Sequence, residues 1–140
     1  THPVEKAIAF GAPVVFGTAG AVKPWEASSE AANFVGVAIR EVKSATDYMN
    51  QNEGSYRIGE AVPVMKRGCV NVICQNGTPA PGGKVYIRTV KNESYPNAVV
   101  GGFEAAADTG KNVELTNAQW KGNADANGVA EMRILTILNA

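Results

Sequence analysis

The sequence predicts an all-β domain: a β-sandwich or barrel, jelly-roll-like, with long loops and little helix. Short runs rich in Val, Ile and Phe recur along the 140 residues at intervals of about ten, the spacing of strands in small sandwiches and barrels. Gly, Pro, Asn and Asp gather between these runs, where they supply the backbone angles of turns. No internal repeat or low-complexity segment breaks the pattern.

APVVF (12–16) is the first strand, and Gly17–Gly20 turns the chain. Residues 21–33 are mixed, and Pro24 argues against a helix before it. FVGVAIR (34–40) is a strand with Val35, Val37 and Ile39 on one face. Residues 41–56 are polar, and Ser44 with Asp47 suits either a short capped helix or a loop. GEAVPVMK (59–66) is a strand that Pro63 demotes to an edge or a bulge. Arg67-Gly68 then turns into CVNVICQN (69–76), so the two runs read as a hairpin.

The next stretch, GTPAPGGKVYIRTVK (77–91), raises a nucleotide-binding question. A phosphate-binding loop needs a glycine, four residues, then Gly-Lys-Ser/Thr opening a helix. The pair Gly83-Lys84 puts Thr78 at the first glycine and Val85 at the hydroxyl. KVYIRTV (84–90) alternates like a strand, so no helix N-terminus supplies N–H donors. Pro79 and Pro81 each remove another N–H. The loop therefore reads as a turn between strands.

After a turn at 92–97, AVVGGFEAAA (98–107) is a strand with a Gly-Gly irregularity. A short strand lies near Val113–Leu115, and VAEMRILTIL (129–138) is the last. Both faces of that strand are apolar towards its end, where Leu135 and Ile137 stand. Its outer face needs a cover, from the chain's own loops or from a second subunit.

Thirteen basic and thirteen acidic side chains balance, with the signs interspersed. A nucleic-acid binder or an anionic-membrane binder would show a basic patch. No apolar run reaches the ~20 residues of a membrane span. The first residues, THPVEKAIAF, lack the basic region and cleavage site of a signal peptide. The Asn76-Gly77-Thr78 and Asn92-Glu93-Ser94 glycosylation patterns are accordingly read as chance.

Cys69 and Cys74 fall on opposite faces of one strand, roughly 16 Å apart at ~3.3 Å per residue. That is too far for a disulfide, and they read as small buried apolar side chains. With two Cys and one His, a zinc site lacks ligands, and no cofactor or metal is expected. His2 reads as solvated at a mobile end. Asp108, Asp125, Glu104 and Glu131 lie in or beside turn-rich stretches, with no histidine in the body of the chain to join them. No catalytic residue is assigned, and an enzyme is not expected.

Trp25, Tyr48, Tyr56, Tyr86, Tyr95 and Trp120 either pin loops to the core or line a binding face. Trp25 and Trp120 stand in polar segments, which makes them contact candidates. Tyr86 and Arg88 share one strand face opposite Val85 and Ile87. An Arg beside a Tyr on an outward face has the chemistry of an interface anchor. Trp25, Tyr86, Arg88, Trp120, Leu135 and Ile137 are thus the candidate interface residues.

The blocks FVGVAIREVKSATDY, YRIGEAVPVMKRGCVNV, GTPAPGGKVYIRT and QWKGNADANGVAEMRILTIL together resemble the capsid cement, or decoration, proteins of tailed bacteriophages. The likeness runs over residues 11–140. It implies a β-rich protein on the outer surface of the capsid, in the virion. It also implies bridging of neighbouring major capsid protein subunits as a small symmetric oligomer, with no catalytic residues to carry over. The expected partners are the major capsid protein and a second copy, a homodimer in preference to a homotrimer, with no nucleic acid and no membrane.

On this reading residues 1–10 form an N-terminal arm, able to pair with a capsid strand or simply frayed, and 11–140 form one domain. The alternative function is a carbohydrate-binding β-sandwich on a virion or cell surface, carried by exposed Trp25 or Trp120. A small hydrolase using turn carboxylates is the third.

Overall fold

The computed structural model describes residues 1–41 and 54–135. The expected helix cap at Ser44 and Asp47, Tyr48, and the candidate Ile137 lie outside the described residues.

In chain order the strands are β1 (His2–Pro3), β2 (Ile8–Ala9), β3 (Pro13–Phe16), β4 (Val22–Pro24), β5 (Phe34–Ala38), β6 (Ser55–Tyr56) and β7 (Ala61–Val62). They continue with β8 (Val64–Met65), β9 (Gly68–Ile73), β10 (Lys84–Arg88), β11 (Phe103–Glu104), β12 (Asn112–Trp120) and β13 (Val129–Ile134). Helical structure among the described residues is limited to the 3-10 turns Thr18–Gly20 and Ala31–Asn33.

A four-stranded sheet, β4-β3-β5-β8, packs against a five-stranded sheet, β11-β10-β12-β13-β9. All pairings inside both sheets are antiparallel. Of the two expected all-β architectures, the sandwich is the one formed. Val15, Trp25, Phe34 and Val37 of the first half meet Val85, Ile87, Leu115, Trp120, Met132 and Ile134 of the second. A second core lies on the far side of the small sheet. There Val4, Ile8, Val14, Val35, Tyr56 and Val62 pack together, roofed by the two-stranded pairs β1-β7 and β2-β6.

β5 is buried at every residue because both of its faces are covered. Its side chains do not alternate as the sequence suggests. Val14 pairs with Gly36 but Val15 pairs with Phe34, so Val35 is an extra residue in the ladder. That bulge flips the order. Val37 faces the large sheet while Val35 faces the second core, which corrects their expected placement on one face. Gly36 is required where β8 comes close, since a Cβ there would lie 2.3 Å from the Met65 carbonyl oxygen.

The expected hairpin between residues 59–66 and 69–76 does not form. Pro63 interrupts the first run, leaving only β7 and β8 on either side of it. β8 pairs with β5, whereas all six residues of β9 pair with β13. The long ladder satisfies more backbone groups than a two-residue β8 offers. Gly68, at φ 121, carries the chain from one sheet to the other.

β12 is longer than expected, because Asn117 and Ala118 are buried within a run that reads as polar. The expected strand at 98–107 shrinks to β11, since Gly101 at φ 86 turns the backbone. The Gly-rich stretch before Lys84 is a loop ending in a strand, with Gly82 at φ 76.

Residues 1–10 do not stand off the body. β1 and β2 are paired, Val4 and Ile8 are buried, and His2 lies edge-on to Phe16 at 5.5 Å. His2 is therefore held in the fold and not at a free end.

Candidate functional site

Two features stand out: a polar network behind the large sheet and an apolar groove between the two sheets. The network begins with the alternation of β10. Val85 and Ile87 point into the sandwich core, so Tyr86 and Arg88 point away from it. That face was expected to meet solvent. Instead the chain between β10 and β12 folds back over Arg88 and buries it completely.

Burial of a guanidinium demands partners for its donors. Arg88 Nε and Nη2 donate to the two oxygens of Glu104 at 2.6 and 2.8 Å. Nη1 donates to Asp108 Oδ2 at 2.9 Å and to the Val90 carbonyl at 3.2 Å. Asn112 and Gln75 each donate to Glu104, at 2.9 and 3.0 Å, and Asn92 donates to Asp108 at 2.9 Å. The Arg88 charge also lies 5.7 Å from the Tyr95 ring centre.

These contacts set the protonation states. The amide of Asn92 and then the Arg88 guanidinium hold the Asp108 carboxyl below its ordinary range. Burial opposes the charge on Arg88, but its bonds to Glu104 and Asp108 outweigh it and the pKa is raised. An ion pair this saturated offers neither a free base nor a free acid. It stitches the covering loop to the sheet.

The groove has a volume of about 610 Å³. One wall is the chain from Ala7 to Pro13 with Ala38, Ile39 and Arg40; the other is β9 with residues 99–103. Trp25 and Phe103 belong to its lining and are nearly inaccessible, while Ile73 and Val99 are 64% and 63% exposed. Exposed apolar surface beside a concave apolar groove is the chemistry of a macromolecular contact.

The candidate interface residues divide on this geometry. Trp25, Arg88 and Trp120 are 4%, 0% and 1% exposed, which corrects the expectation that they stand on the surface. Each side chain is drawn inward for a reason: the tryptophans fill the sandwich core, and Arg88 meets Glu104. The carbohydrate-binding alternative loses its two exposed tryptophans with them. Trp25 keeps a link to the surface as part of the groove lining. Tyr86 is half-buried and Leu135 is 39% exposed. Cys69 is exposed and Cys74 half-buried, so the pair is less enclosed than expected, and both thiols are free.

Sequence reading missed Ile73, Val99 and Val100, whose signal was three apolar residues beside turn glycines and polar neighbours. Among the described residues, no group of three or more His, Cys, Asp or Glu side chains is arranged to hold a metal ion.

The model of the family described as structural cement protein (E217 gp24/Pam3 gp6) matches residues 2–135. No curated protein matches the chain. Among solved structures, a chain from the capsid of Myoviridae phage XM1 is similar, with a TM-score of 0.66 and 18% identity. The alignment covers 98% of this chain and 81% of that one. At that identity the likeness shows a shared fold.

Proposed function

The chain belongs to the structural cement proteins of phages, and from that premise we propose that it binds the outer surface of the phage head and bridges neighbouring copies of the major capsid protein. Its role is structural and not enzymatic, in association with capsid proteins in the virion. The family match across residues 2–135 is the observation that carries the reading.

The physics of the fold suits adhesion. The net charge is zero, so binding relies on shape and local contacts and not on long-range attraction. A bridging protein gains from multiplicity: once one contact forms, the second becomes intramolecular, and avidity exceeds either affinity by roughly 10²–10⁴. A homodimer supplies two identical contact patches at once, in an arrangement able to follow a two-fold axis of the lattice. Tyr86 and Leu135, which reach the surface, are the contacts this reading favours among the residues expected at the interface.

The test is reconstitution. Heads stripped of the protein are incubated with the purified chain and then heated. Binding with a raised rupture temperature is expected, and a sedimentation mass of twice the chain. Failure to bind heads built of the matching capsid protein overturns the reading.

A further inference from the structure

The large sheet has two edges, β11 and β9, which touch at the parallel bridge between Cys74 and Phe103, and only β9 is long. Its ladder to β13 runs from Gly68 to Ile73 without a register shift. Antiparallel pairing aims alternate residues at opposite sides of a strand. Lys121 N–H donates to the Glu131 carbonyl, so Glu131 of β13 faces β12, and its neighbours Ala130 and Met132 face β9. Their partners Val72 and Val70 therefore point at β13. Cys69, Asn71 and Ile73 point their N–H and C=O groups the other way. At Cys69 and Asn71 no other strand pairs on that side, whereas the parallel bridge between Cys74 and Phe103 occupies the edge from the Ile73 carbonyl onward. Two residues further on, the Gln75 N–H on that same side reaches the Phe103 carbonyl at 2.9 Å. The open edge thus faces the groove that Phe103 helps to line.

Exposed edges are normally blunted by charge, proline, a bulge or shortness. The other edges of the two main sheets follow that rule. β4 carries Lys23 and Pro24, β8 is two residues after Pro63, and β11 is two residues. β9 has none of these devices, and its outward side chains Cys69, Asn71 and Ile73 are uncharged. Two further groups at the groove are unmatched. The buried Trp25 indole N–H has no acceptor, and Arg40 has no carboxylate partner among the described residues.

We propose that the open edge of β9 and the adjoining groove receive an extended segment of the capsid protein, added as a sixth strand to the large sheet. The segment places apolar side chains against Ile73 and Val99, and one carboxylate against Arg40. A lone strand suits the site better than a second folded copy, because walls stand on both sides of the groove. Strand addition draws affinity from main-chain hydrogen bonds and specificity from alternate side-chain contacts. This inference rests on the capsid-binding reading above.

The test uses the full chain and stripped heads of the matching phage. Amide hydrogen exchange is followed at Cys69, Asn71 and Ile73, free and head-bound. Protection of these amides only on heads is expected. Protection that instead rises with concentration in the free protein assigns the edge to a second copy and overturns the proposal. In parallel, Asn71→Pro removes one outward N–H without touching the β13 ladder, and Ile73→Lys restores an edge guard. Each is expected to weaken head binding at least tenfold with an unchanged melting temperature, and Arg40→Glu several-fold. If the unmodified chain binds heads while these amides stay unprotected, the edge proposal fails and the cement reading stands. If the unmodified chain does not bind at all, the cement reading itself fails.

Discussion

Arg88 and Glu104 meet fork to fork, at 2.6 and 2.8 Å, with neither side chain exposed. The pair joins β10 to its neighbour β11 and ties down the loop between them. Removing the carboxylate leaves the buried cation with Asp108 as its one remaining carboxylate partner among the described residues. Glu104→Ala is expected to cost about 3–5 kcal/mol, the range for breaking a buried pair from one side. Replacing both residues with apolar ones of similar volume is expected to cost far less. Urea unfolding of the single and double variants checks this, and equal losses would contradict it.

Acid should loosen the same network. The Asp108 pKa is lowered in the fold, so its contribution is present above the ordinary value of 3.8 and is lost as pH falls through the lower folded value. Melting temperatures measured from pH 6 downward should drop more steeply for the native chain than for Asp108→Asn. The variant, with no carboxylate to titrate, starts lower.

Alkali should act at Tyr56. Its hydroxyl donates to the Ile39 carbonyl, and burial, followed by the negative Glu41 and Glu60, pushes the phenol up to about 12 from 10.0. A raised folded pKa gives stability that is full below pH 10 and is lost as pH rises towards 12. Tyr56→Phe should cost about 1 kcal/mol at neutral pH through the lost hydrogen bond. It should also flatten the alkaline loss, which thermal unfolding across that window reads directly.

Gly36→Ala tests the close approach of β8 to β5, its neighbour in the sheet. The added Cβ would meet the Met65 carbonyl oxygen at 2.3 Å and Val64 Cγ1 at 2.7 Å. Backbone cannot yield as a flexible side-chain tip does. A loss of about 1–3 kcal/mol or more is expected by the scale of overpacking. An unchanged urea midpoint would show that β8 does not approach as described.

Much of the strand set was legible because β-branched runs and turn residues are local signals. PVVF, FVGVA, KVYIR and VAEMRI all became strands. Partner choice was not legible. Nothing near Arg67-Gly68 shows that β8 leaves for β5 and β9 for β13, since that outcome depends on the length of a distant ladder. The bulge at Val35 was hidden for the same reason: a bulge belongs to two strands.

Arg88 shows the limit for the site. Alternation correctly put it with Tyr86 and away from the core, yet the two loops carrying Asn92 and Asp108 cover it, and covering loops leave no periodic trace. The groove was out of reach because its walls come from residues near positions 10, 40, 72 and 100.

The most direct measurement is cryo-microscopy of stripped heads after the purified chain is added back. Density for this β-sandwich is expected on the outer surface, each copy or dimer touching at least two capsid subunits. Density confined to a single subunit, or lying inside the shell, would contradict it.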